Sequence, residues 1–502
     1  MLFKVSYIRT PLRLVYIPGH AKTALGLKAL SRVRLINPVT KQAVNAHAML
    51  DYEHLKDDEV SVSCILQKEI GLDAGESVDI ILGQLSKSSD IVKKKIAGEK
   101  LTRSEIAALI SDLNERVLSP PEITAFLTAI ETRGLDMDEV ESLTIEMIQS
   151  GDTITFNQSP VVDHHSIGGV PGNKVTLLVV PLIAAAGLLI PKTCSRAITG
   201  AAGTGDLMEA LSPVAFSAEE IRDMTQKAGG VIVWGGATNL VPTDDIMIKY
   251  ENAIGLNPHG LMLASIMGKK KAAGADICVL DIPVGKGTKV RTVDEGNALS
   301  AELIELGRRL GMKVQCILTY ADAPVGRTIG VNLEVAEALK VLETGNGSGS
   351  LMQKSCAIAG ATFEMTGKAA PGEGIAMAES LIQSGAAHAK MKEIIAVQGG
   401  NPEIKSSDLL PGKFSYKVLS PSSGRVVDMN NRALVKIARL AGAPVDHGAG
   451  IYLNNKTGQT VKTGEPLFTI YAENELKLNQ AIEFARTSLP VTVNNIVLNY
   501  VI

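Results

Sequence analysis

The period of apolar and polar positions changes several times along the chain. Through residue 85, short apolar runs at 2–8, 13–17, 32–35, 44–49, 60–67 and 78–82 are separated by turn residues. Alternation with period two, as in Val60-Ser61-Val62-Ser63 and Arg32-Val33-Arg34-Leu35, predicts strands. From Ser86 the spacing becomes helical over 89–97, 103–117, 121–132 and 137–149, with Thr102 and Glu105 placed as a capping box. From about 160 to 400 the two patterns alternate. Apolar runs at 161–162, 190–193, 230–233, 276–281 and 313–319 are divided by amphipathic stretches such as 217–227 and 294–310. Such alternation predicts a mostly parallel sheet covered by helices. Beyond Leu409-Leu410-Pro411-Gly412, strand-like runs at 424–429, 450–453 and 466–471 accompany helical patterns at 432–441 and 473–485.

The expected fold is therefore an α/β multidomain chain. A small β-rich N-terminal domain (1–85), suited to assembly, precedes a helical lobe (86–158). A central, mostly parallel α/β domain (159–408) lends some helices to that lobe, and a C-terminal α+β domain (409–502) closes the order.

Composition narrows the function. A formal charge of −3 over 502 residues gives no basic surface of the kind that holds nucleic acid. The most apolar stretch, 175–190, is short for a membrane span and contains Pro181, so a buried helix is expected and no membrane partner. Cys64, Cys194, Cys278, Cys316 and Cys356 are scattered, with no Cys-x-x-Cys pair, which predicts reduced thiols and a cytoplasmic location.

The chemistry concentrates in strand-to-helix turns. Asp163-His164-His165-Ser166-Ile167-Gly168-Gly169-Val170-Pro171-Gly172-Asn173-Lys174 ends an apolar run and opens a helical pattern. Backbone N–H groups in such a turn, with a helix dipole behind them, suit an anion. Asn173 before Lys174 and Val175 after it exclude a Walker A loop, and the glycine spacing excludes a dinucleotide fingerprint. A second loop, 194–206, carries Ser195, Arg196, Thr199, Gly200, Gly203, Thr204 and Gly205. A third, 281–289, carries Gly285, Lys286, Gly287 and Lys289, with Lys289 favoured as a ligand and Lys286 as solvated. Ser265 and Lys269 stand four apart on one helix face, while Lys270 and Lys271 read as a solvated, dipole-complementing cap. No carboxylate is spaced with His164 and His165 to form a metal site, so no metal is expected.

Asp163-His164-His165-Ser166-Ile167-Gly168-Gly169 resembles the Asp-Lys-His-Ser-Thr-Gly-Gly signature of the thymidine and pyrimidine nucleoside phosphorylases. Loop 194–206, Ala264-Ser265-Ile266-Met267-Gly268-Lys269-Lys270 and Val279-Leu280-Asp281-Ile282-Pro283-Val284-Gly285 are similar to that family in order and spacing. The departures, His164 for the family's lysine, the enlarged Pro171-Gly172 turn and the added segment 1–85, resemble the archaeal AMP phosphorylase branch. That resemblance implies phosphorolysis of a nucleoside 5′-monophosphate to free base and ribose 1,5-bisphosphate. It implies no cofactor beyond phosphate as co-substrate, and a homodimer or larger homo-oligomer.

Carried over by position, the resemblance places AMP on Gly169, Ser195, Arg196, Ala197, Ile198, Thr199, Gly200, Thr204, Ser265 and Lys289. Phosphate falls on His164, Ser166 and Lys269, with His165 and Thr204 beside it. The branch's aspartate proton donor corresponds to Asn257, an amide that can donate a hydrogen bond but cannot act as a general acid. Asn257 then orients the base, or His259 or Asp245 supplies the proton, or the base leaves with less assistance, and His165 is a further catalytic candidate. The alternatives are phosphorolysis of unphosphorylated pyrimidine nucleosides and a non-catalytic nucleotide sensor.

Overall fold

The computed structural model describes residues 2–10, 12–51, 53–83, 87–197 and 200–494. The chain divides into two compact units, Met1–Gly151 with Val241–Ser265, and Asp152–Leu240 with Ile266–Ile502.

In the first unit, strands Leu2–Ile8, Glu59–Ser63, Leu14–Pro18, Ala43–Asp51, Ser31–Ile36 and Ser77–Leu82 close, in that order, into a barrel. Alternate residues point inward, so Val15, Ile17, Val33, Leu35, Val60, Val62, Val78 and Ile80 form its core. The apolar run 60–67 is not one strand. Its strand ends at Ser63 and the helix Cys64–Ile70 begins, stopped by Gly71 at φ 64°. Leu66 and Ile70, four apart, are the buried positions of that helix, a spacing that a short apolar run conceals. Helices Ser88–Ile96, Arg103–Asn114, Pro120–Arg133 and Met137–Gln149 follow the barrel, joined by Pro242–Ile254 from later in the chain.

In the second unit, strand Ile277–Val284 lies between Lys313–Tyr320 and Val162–Ser166, parallel to both. Ile190–Cys194 and Gly230–Trp234 form a second parallel pair, connected to the first group by a parallel bridge between Val161 and Leu189. The turns after Ser166, Cys194 and Val284 therefore all leave carboxyl ends of parallel strands, where open α/β sheets bind ligands.

Helix Thr176–Ala185 is buried from Thr176 to Ala184. A helix apolar on every side must be surrounded. Helices Val331–Thr344, Gly349–Met365, Gly374–Gln383 and Ala386–Val397 do this, so the expected alternation of strand and helix up to residue 400 gives way after Ile329 to helices alone.

The C-terminal part holds an antiparallel sheet of Thr328–Ile329, Gly450–Leu453, Pro466–Ala472 and Phe414–Leu419. A three-stranded sheet and the helices Asn431–Leu440 and Glu475–Ser488 complete it.

Candidate active site

Three turns meet on one cavity of about 890 Å³ in the second unit: Gly168 to Asn173, Gly200 to Thr204, and the loop holding Gly287. Gly169 and Gly287 have φ of 93° and 86°, the left-handed region that favours glycine. The first and third turns touch directly. A Cβ on Gly169 would lie 3.1 Å from Thr288 Cα and 3.3 Å from the Lys289 backbone nitrogen. Asn173 Nδ2 donates to Ser166 Oγ at 2.8 Å and ties the two ends of the first turn together.

Asp206 shapes the second turn, where its Oδ2 accepts the backbone N–H groups of Ala197 and Gly203, both at 2.8 Å. Gly203 fits because a Cβ there would sit 2.5 Å from Ala197 N and Arg196 C. Ser195, Gly200 and Thr204 face the cavity. Arg196 instead pairs with Glu209, through Nη2 to Oε1 at 2.6 Å, and its guanidinium lies 4.8 Å from the centre of the Trp234 ring.

Beneath the first turn lies a buried charge cluster. Asp163, fully buried, is 2.8 Å from Lys270 Nζ and 3.6 Å from Lys192 Nζ. Lys192 donates to the carbonyls of His164 at 2.7 Å and Thr193 at 2.9 Å, and it lines the cavity. Burial and the neighbouring Lys270 push Lys192 down to about 8 against the opposing pull of Asp163. Burial, with Lys270 and Lys192 close by, also holds His165 well below the usual imidazole value. His165 is therefore neutral at pH 7, with one ring nitrogen able to donate and the other able to accept. Glu334, also on the cavity wall, is raised by burial to about 7.

The chain matches the helical bundle domain of a glycosyl transferase family over residues 89–151, that family's a/b domain over 158–388, and the pyrimidine nucleoside phosphorylase C-terminal domain over 425–492. It is 52% identical to the AMP phosphorylase of Methanocorpusculum labreanum over 474 residues, 94% of each chain. The chain belongs to the AMP phosphorylase family. AMP phosphorylase 1 of Archaeoglobus fulgidus is 45% identical, with 99% of this chain and 98% of that one covered, and the Thermococcus kodakarensis AMP phosphorylase is 50% identical over 84% of each chain. Among solved structures, anthranilate phosphoribosyltransferase from Thermus thermophilus shares the fold at TM-score 0.51 and 21% identity, over 62% of this chain and 99% of that chain.

Of the residues singled out in the sequence, His165, Ser166, Gly169, Ser195, Gly200 and Thr204 lie together on the cavity. His164 does not. Strand Val162–Ser166 extends past both histidines, and because side chains alternate along a strand they point to opposite faces. His164 is 1% exposed, and neither ring nitrogen has a hydrogen-bond partner. The sequence expectation ended that strand at residue 162 and so hid the alternation.

Arg196 and Ala197 are on the second loop but off the cavity wall, and Lys289 is an exposed residue of the third loop. Lys269 is half-buried in the second unit and does not line this cavity. Ile198 and Thr199 lie outside the described residues. Asn257, His259 and Ser265 belong to the first unit. There Ser265 Oγ donates to Asp244 Oδ2 at 2.8 Å, and Asn257 and His259 are exposed.

Lys270 corrects the reading of Lys270 and Lys271 as a solvated pair, since it is 2% exposed and paired with Asp163. Lys174, within the anion turn, is also turned away. It is fully buried and bound to Glu337 and to the carbonyls of Val325 and Thr328.

Sequence reasoning missed Lys192, which sits inside a strand where a lysine reads as an edge residue. It also missed the contribution of helix Asn431–Leu440, whose basic residues recur at helical spacing but far downstream of the turns.

Proposed function

We propose that the chain catalyses the phosphorolysis of nucleoside 5′-monophosphates, AMP foremost, to free base and ribose 1,5-bisphosphate. The observation that carries this reading is the convergence of three strand-end turns and Lys192 on one cavity. Two anions must be held side by side for the reaction, and backbone N–H groups with a buried ammonium serve that purpose. A phosphate oxygen forms the bond to C1′ while the bond from C1′ to the base nitrogen breaks. The electron pair leaves with the base, which takes up a proton. Positioning the nucleophile and stabilising its charge supply most of such catalysis.

His165 and Ser166, with Lys192, are assigned to inorganic phosphate in preference to the interior His164. Lys269 stands as a further candidate from the family pattern. Gly169, Ser195 to Gly200, Thr204, Ser265 and Lys289 are assigned to the nucleotide. Asn257 holds the family's proton-donor position, with His259 or Asp245 as substitutes and His165 as a further catalytic candidate. The enzyme needs no cofactor in this reading, works in the cytoplasm and assembles as a homo-oligomer. Among the described residues no helix is long and apolar enough to cross a membrane.

Incubation with phosphate and AMP, adenosine, uridine or thymidine, followed by chromatography of the released base, tests the reading. Base release from AMP far above that from the nucleosides is expected. Preferential release from uridine or thymidine would replace it with nucleoside phosphorolysis. Tight AMP binding without any base release would replace it with a sensor.

A further inference from the structure

The cavity has two walls of different origin. The strand-end turns form one, and the helix Asn431–Leu440, from the C-terminal part, forms the other. Leu434, Ile437 and Ala438 of that helix are buried in the C-terminal core. The opposite face presents Arg432, Lys436 and Arg439, spaced three and four apart, to the cavity. The like charges of Arg432 and Lys436, four apart, repel one another, and a bound anion removes the penalty.

Arg432 reaches the third turn, since a Cβ on Gly287 would lie 3.6 Å from its Cγ and 3.7 Å from its Nε. Lys436 rests 4.3 Å from the centre of the Phe484 ring, which attracts its charge without neutralising it.

Asn431 supplies an independent observation. It borders the cavity at 4% exposure, and its Nδ2 donates to the Ala321 carbonyl at 2.8 Å. That bond fixes the amide and leaves Oδ1 buried without a hydrogen-bond partner. A buried acceptor left unmet is costly, and a ligand hydroxyl would satisfy it. Cations beside a lone acceptor match a ligand that carries phosphoryl oxygens and a hydroxyl on one framework.

Resting on the reaction proposed above, we infer that the helix Asn431–Leu440 forms a sugar-phosphate subsite. Arg432 and Lys436 hold the phosphoryl group of the phosphorylated ribose, and Asn431 Oδ1 accepts one of its hydroxyls. The C-terminal part thereby takes part in selecting nucleotides over nucleosides.

Full-length Arg432→Gln and Lys436→Gln enzymes, with Arg432→Lys as the charge-keeping control, test this. KM for AMP at saturating phosphate should rise at least tenfold in each Gln variant. KM for phosphate at saturating AMP should stay within twofold, and Arg432→Lys should recover most of the loss. A rise confined to the KM for phosphate would give the group to the free anion and overturn the sugar-phosphate assignment. No change in either constant would overturn the subsite altogether. Calorimetric titration with ribose 5-phosphate reads the subsite without turnover. Tighter binding by the wild type than by Arg432→Gln supports it even if AMP is not cleaved, and equal binding overturns it. Absence of base release from AMP bears only on the reaction.

Discussion

Lys174 and Glu337 form an ion pair of 2.8 Å in which the lysine is fully buried, although Lys174 belongs to a turn whose composition suits an anion. The same ammonium donates to the carbonyls of Val325 and Thr328 at 3.2 Å each. Lys174 thus acts on the site indirectly, by locking the glycine turn onto the segment 325–328. Burial alone would raise Glu337, but Lys174 and the hydrogen bonds from Thr328 and Arg327 bring it below the usual carboxylate value.

Removing one member of this buried pair leaves the other uncompensated. Lys174→Met is expected to destabilise the protein by about 3–5 kcal/mol. Denaturant unfolding of the variant against wild type measures it, and a loss below about 1 kcal/mol would show that Glu337 finds another partner.

Gly172 fits where nothing larger can. Its φ is 72°, and an added Cβ would stand 2.5 Å from the Val325 carbonyl oxygen and 2.7 Å from that of Thr328. Gly172→Ala should therefore cost about 1–3 kcal/mol in backbone strain alone. Because the turn must shift, KM for phosphate should rise as well, as steady-state kinetics will show.

Acidity of the cavity wall should govern anion affinity. Lys192 carries its proton below about 8 and loses it above, while Glu334 is neutral below about 7 and negative above. Both changes make the wall less positive as pH rises. KM for inorganic phosphate should therefore increase by roughly tenfold from pH 7 to 9, the size expected for loss of one charge-assisted hydrogen bond. A profile flat across that window would remove Lys192 from the binding surface.

Asn257 lies between helices Pro242–Ile254 and His259–Ala272, at the position where the family resemblance places an aspartate proton donor. Restoring the acid in Asn257→Asp should raise kcat by roughly 100-fold, the low end of general acid catalysis. It should also introduce a new alkaline limb in the pH profile. No gain, with an unchanged profile, would mean that another residue already supplies the proton.

The closed barrel at the N-terminus is proposed to serve self-assembly. Deleting residues 1–84 should lower the particle mass measured by light scattering while base release from AMP persists. An unchanged mass would remove the barrel from the interface.

The elements that make the site were largely legible in the chain because their signals are local. A strand, a run of glycines and a helical pattern follow one another at 161–186, and their order alone predicts outward-pointing amides at a strand end. The helix at 432–441 and the capping box at Thr102 were likewise read from neighbouring residues, and the structure shows Asn431–Leu440 and the Thr102–Glu105 box. Where two patterns overlap within a few residues, as in 60–70, length could not separate strand from helix.

Local sequence could not decide which side of an element is wet. A lysine has the same intrinsic preference at 174, 192, 270 and 286. The first three are buried because Glu337 or Asp163 and facing carbonyls surround them, whereas Lys286 stays exposed. His164 and His165 are adjacent in the chain and differ only in what lies across the strand. The basic face of helix Asn431–Leu440 reaches the glycine turns only because the second unit folds them onto one cavity. The sequence by itself therefore determined the turns and their backbone donors, which depend on neighbouring residues. Tertiary structure alone decided which charges face the ligand, because solvation and electrostatic pairing depend on residues distant along the chain.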